Sequence, residues 1–131
     1  MSEQPSCSCG RIRYSLAFAC SGAADVGAIA DQAARKLARD KTAAMCCTAA
    51  VAAEIPEILE RTACAAKIVV IDGCDKACAK KILDIGGFTD HVHVELGTIG
   101  MEKGKTPVDE ANVAKAAAAA SEALTDQAAV E

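Results

Sequence analysis

Cys20, Cys47 and Cys74 recur at intervals of 27 residues, and each directly follows a stretch that reads as a β-strand. A strand, a turn, a helix and a return loop occupy about this length of chain. The interval therefore predicts successive βα units whose strands run parallel and end along one edge of a sheet. Three thiols then stand side by side on that edge. Cys78, four residues beyond Cys74, adds a fourth. Open α/β sheets carry their ligands at the ends of their strands, and soft sulfur ligands gathered there point to a metal or redox centre rather than to packing.

The elements between the cysteines fit this scheme. Residues 1–10 form a polar leader containing Cys7 and Cys9, read as flexible. Residues 11–125 form a single domain, and residues 126–131 a fraying end. Ile12, Tyr14, Leu16 and Phe18 alternate with Arg11, Arg13 and Ser15, which predicts a first strand. Ser21 and Gly22 offer capping and turn chemistry, and Val26, Ile29, Ala30, Ala33 and Leu37 share one face of the helix that follows. Ala43 to Cys46 reads as a short second strand. Pro56 opens a helix with Ile58, Leu59 and Thr62 inward. The β-branched run Ile68–Ile71 predicts a central parallel strand buried on both faces. Asp75 can cap the next helix, which carries Cys78, Ile82 and Ile85 at helical spacing and stops at Gly86 and Gly87. Val92, Val94 and Leu96 mark a fourth strand, and a last helix starts near Asp109 with Val113, Ala117, Ala120 and Leu124 on one face. The expected architecture is a three-layer α/β sandwich: a mainly parallel sheet of about four strands with helices on both faces, compatible with a flavodoxin-like order.

With no Trp, one Tyr and two Phe, the core must be built from Ala, Val, Ile and Leu in close helix–sheet contact. A net charge of −4 and the absence of a basic stripe exclude nucleic acid as an expected partner. No signal-like segment precedes the first cysteine and no apolar run approaches a spanning helix, so a cytoplasmic protein with no membrane partner and reduced thiols is expected.

The sharpest local signal is Asp72-Gly73-Cys74 with Cys78. Gly73 permits close backbone approach or positive φ, and a helix start near Cys74 and Cys78 offers amides that favour thiolate. These residues belong to a larger pattern: Cys20-Ser21-Gly22-Ala23 with Val26-Gly27 and Ala33-Ala34-Arg35-Lys36-Leu37, then Cys47, then Ile71-Asp72-Gly73-Cys74 with Cys78-Ala79-Lys80-Lys81, and Glu102-Lys103-Gly104-Lys105-Thr106. From Cys20 to Thr106 the chain resembles the DGC-domain family, which is named for the Asp-Gly-Cys motif and proposed to bind zinc through four cysteines. The resemblance implies zinc as the cofactor and Cys20, Cys47, Cys74 and Cys78 as its ligands; it implies no established biological role. Ala49, Ala50, Ala52 and Ala53 stand where a glycine-rich stretch would follow the second cysteine.

Other candidates carry less. Cys46 precedes Cys47 and should face the core; Cys64 lies off the apolar stripe of its helix and is given no active role. His91, His93 and Glu95 share one face of the fourth strand, which is read as a solvent-facing polar side. Gly104-Lys105-Thr106 lacks the upstream glycine of a phosphate-binding loop, the position being Ile99, and Pro107 interrupts the helix entry. Three functions stay open: a zinc-binding module, a thiol-redox or zinc-thiolate enzyme, and an iron–sulfur electron carrier. The sequence decides neither the substrate nor whether the chain is an enzyme.

Overall fold

The computed structural model describes residues 14–126. Four strands, β1 (Leu16–Ala19), β2 (Ala44–Met45), β3 (Ile68–Asp72) and β4 (Val92–Glu95), form one sheet in the order β2-β1-β3-β4. Every pairing is parallel, with Leu16 opposite Ile68 and Val69 opposite Val92 in register. The helices are α1 (Asp25–Arg39), α2 (Thr48–Ala52), α3 (Pro56–Ala63), α4 (Cys78–Ile85) and α5 (Glu110–Asp126), and a 3-10 turn covers Leu96–Ile99. This is the expected three-layer α/β fold, and the strand order matches the first four places of a flavodoxin-like sheet. The order reverses between β1 and β3. The leader with Cys7 and Cys9, the start of the first alternating stretch and residues 127–131 lie outside the described residues.

Side-chain alternation along the strands divides the core in two. Ala17, Ala19, Val69, Ile71 and Val94 pack under α1 and α5, while Leu16, Phe18, Ile68 and Val70 pack against α2, α3 and α4. β3 is buried at every position, as its unbroken apolar run requires. Alanines let the helices sit close. Ala30, Ala33 and Ala34 of α1 and Ala116 and Ala120 of α5 are fully buried where larger side chains would hold the helices apart.

Several local expectations need correction. α2 was not anticipated: Ala49, Ala50 and Ala52, with no glycine among them, favour a helical turn directly after Cys47. α1 begins after Ala24, and the Ser21 hydroxyl donates to Asp31 Oδ1 (2.8 Å) instead of capping the helix. α4 buries Ala79 and Leu83, leaving Ile85 71% exposed. It starts at Cys78, two residues later than a cap at Asp75 would place it, because the residues after Cys74 form an irregular turn ending in Ala77 at φ 50°.

Candidate functional site

The gap between β1 and β3 at the C-terminal edge of the sheet is where doubly wound folds hold their ligands. Cys20 extends the β1–β3 ladder one step past β1, its N–H donating to the Ile71 carbonyl (3.1 Å). Its Sγ accepts the N–H of Gly73 at 3.4 Å, so the first cysteine touches the Asp-Gly-Cys turn directly. Cys47 follows β2 at the N-cap of α2, and the Thr48 hydroxyl donates to the Ala19 carbonyl (2.8 Å), pinning that helix start to the end of β1. Cys78 is the first residue of α4. All four predicted ligands therefore lie at one edge of the sheet as free thiols, Cys20 and Cys74 half-buried and Cys47 and Cys78 exposed. They are not drawn into a closed cage: among the described residues no three His, Cys, Asp or Glu side chains stand together as a metal-ligating group.

Glycines at two positions allow this edge to close up. A Cβ on Gly73 would lie 2.7 Å from the Val26 carbonyl carbon, and one on Gly27 2.5 Å from the Gly22 carbonyl oxygen. The turn after β3 thus rests on the first turn of α1, and the loop after Cys20 folds back on the same helix. Gly73 is needed for close approach, and its φ is not positive. Two non-glycine residues do adopt left-handed backbone beside candidate thiols, Ser21 (φ 52°) after Cys20 and Ala77 (φ 50°) before Cys78. Such conformations cost about 1–2 kcal/mol each for an L-residue, and strain of this kind concentrates at functional sites.

Two aspartates organise the edge. Asp72, 1% exposed, accepts the N–H groups of Ala79 (2.9 Å) and Lys80 (3.1 Å), the second and third amides of α4. It does at a distance what an N-cap side chain does locally, since Ala77 has no acceptor to offer. Its Oδ2 also meets His93 Nε2 at 2.8 Å. Asp25 opens α1 and accepts from the amides of Val26 (2.7 Å), Gly104 (2.9 Å) and Thr106 (3.1 Å), holding the loop that carries Lys103 and Lys105 against this edge. The Gly104 and Thr106 amides, foremost, keep the Asp25 carboxyl below its ordinary range.

The histidines correct the solvent-face reading. His91 is 4% exposed at its side chain and meets Asp84 Oδ1 at 2.9 Å; His93 is 22% exposed and bound to Asp72. Both turn onto α4. The pattern of alternation located their shared face correctly, but only the packing of α4 reveals what covers it. Cys46 is a core residue as expected, and burial pushes its thiol up. Cys64 is disulfide-bonded, which departs from the expectation of reduced thiols throughout.

Comparison with known proteins agrees with this picture. The DGC domain matches residues 16–120. The "Anaerobic and virulence modulator AnvM" of Pseudomonas aeruginosa is 32% identical over 88 residues, which is 67% of either chain. No solved structure matches the fold at a significant level. A domain match spanning both core layers and all four edge cysteines makes this chain a member of the DGC-domain family.

Proposed function

We propose that this protein binds one zinc ion through Cys20, Cys47, Cys74 and Cys78. The observation that carries the reading is the placement of four free thiols along the C-terminal edge of the sheet, two of them beside the β1/β3 reversal. The donor set fits zinc chemically, being four soft, ionisable sulfurs. Cys47, the N-cap of α2, and Cys78, the first residue of α4, are exposed, and the reading requires their side chains to turn toward Cys20 and Cys74. A closed four-sulfur site leaves no vacancy for substrate, so the metal is structural or sensory; the description of the Pseudomonas relative as a modulator is in keeping with a sensory use. The cytoplasm is the compartment we assign, on the strength of the free edge thiols and against the disulfide at Cys64; among the described residues no helix is long and apolar enough to cross a membrane.

Elemental analysis of reduced protein purified without oxygen tests the proposal. About one zinc per chain is expected, with strong loss in Cys20→Ser and Cys74→Ser. Zinc retained in both variants overturns it, and iron with sulfide in its place identifies a cluster protein. A second reading has its own support. Four thiols that are not caged, one of them holding an amide hydrogen bond, also suit a redox-active thiol. Metal-free protein in which oxidation reversibly couples two of the four thiols would favour that reading.

A further inference from the structure

Two histidine–aspartate pairs link β4 and the residue before it to α4: His93 bonds Asp72, the last residue of β3, which in turn caps the start of α4, and His91 bonds Asp84 near the helix end. The two clamps differ in what lies behind them. Asp84 is partly exposed and shared with Lys80 Nζ (2.7 Å), a surface ion pair. Asp72 is sealed from solvent, and its carboxylate holds the amides that begin α4.

We infer that His93 is a positioning residue for Cys78, acting through Asp72 and the first turn of α4. Its functional meaning rests on the zinc-thiolate reading. Ala77 provides no cap and stands in left-handed backbone, so the direction in which α4 leaves the turn depends on Asp72 gripping Ala79 and Lys80. Among the described residues, His93 is the one side chain that donates to Asp72. A buried carboxylate deprived of a donor relaxes toward other partners or water, because an unsatisfied buried acceptor is costly. Cys78, one residue before the gripped amides, shifts with that first turn. Carboxylate–histidine pairs behind ligand groups commonly fix orientation in this way, although here the pair orients a helix start and not an imidazole ligand.

The test uses full-length reduced protein and cobalt(II), whose thiolate charge-transfer absorption reports how many sulfurs bind. In His93→Leu the band should fall by roughly a quarter, one of four thiolates, and affinity by about 10–100-fold. His93→Gln, which returns an N–H donor toward Asp72, should restore both. His91→Leu removes the other clamp and should leave the band intact even where it lowers the melting temperature. An unchanged band and affinity in His93→Leu, or an equal loss in His91→Leu, overturns the inference. Should His93→Leu not fold, His93→Gln and His93→Asn carry the same comparison: the longer amide should keep the wild-type band and the shorter one lose it, and equal bands overturn the inference. If wild-type protein binds no cobalt, the zinc reading fails by itself, and alkylation of Cys78 by iodoacetamide, mapped by mass, decides the matter. A several-fold altered rate in His93→Leu, restored by Gln and absent at Cys47, supports the inference; an unaltered rate sinks it.

Discussion

At the scale of single residues, Gly73 shows how a motif glycine can be demanded by sterics alone. Its missing side chain admits the carbonyl of Val26 and the amide of Gly27, all backbone atoms that cannot rotate away. Gly73→Ala must therefore push β3's exit turn off α1, and overpacking of this kind costs about 1–3 kcal/mol. The same displacement stretches the 3.4 Å contact from Gly73 N–H to Cys20 Sγ. We expect a lower urea midpoint with an unchanged slope, together with altered alkylation of Cys20; a variant as stable as wild type with Cys20 unaffected would show that the turn yields freely. The sequence marks Gly73 as special but leaves two reasons open, positive φ and close approach, and only the position of α1 chooses between them. Asp72 is marked in the sequence only by its place in the Asp-Gly-Cys motif, and its partners lie 7, 8 and 21 residues downstream, beyond the reach of any local capping rule.

At the scale of elements, the loop from Gly100 to Pro107 depends on α1. It closes on itself through Thr106 Oγ1 and the backbone of Glu102, and is tied down by Asp25. Asp25 is 79 and 81 residues from the amides it holds, so the sequence reads it as an ordinary first-turn acid, and the latch appears only once α1 and the loop are adjacent. Asp25→Ala should free the loop and speed tryptic cleavage after the exposed Lys103 and Lys105, with the sheet unaffected. The pH dependence follows from the sign of the shift. With the folded carboxyl depressed, the latch contributes fully above the unfolded value of about 3.9 and is lost as pH falls through the lower folded value. Amide exchange at Gly104 and Thr106 should therefore stay protected at pH values where an ordinary aspartate is already protonated. Protection lost at the ordinary value, or cleavage unchanged in Asp25→Ala, would mean the loop is held by its own turn alone.

At the scale of the whole molecule, the sheet was readable because its strands obey short-range rules: the β-branched run of β3, the 27-residue recurrence of cysteines and the alternation at Val92 and Val94 mark four parallel strands and one candidate edge. What the edge accepts depends on groups brought together by the crossover order. In many sheets wound this way, helix N-termini at the strand ends present free amides to phosphate. Here the protein's own carboxylates take those amides, Asp25 at α1 and Asp72 at α4. A phosphate approaching either helix meets a negative charge already seated and finds its donors occupied. This arrangement disfavours an anion and is compatible with the proposed zinc ion, as is the failure of Gly104-Lys105-Thr106 to complete a phosphate loop. Inorganic phosphate and mononucleotides should leave the melting temperature of reduced protein unchanged. Zinc at about 100 times its dissociation constant should add about 2.7 kcal/mol of stability. A phosphate-dependent rise in melting temperature that grows in Asp25→Asn would locate an anion site the carboxylate merely obstructs, and a rise already present in the wild type would overturn the assignment of this edge to cations.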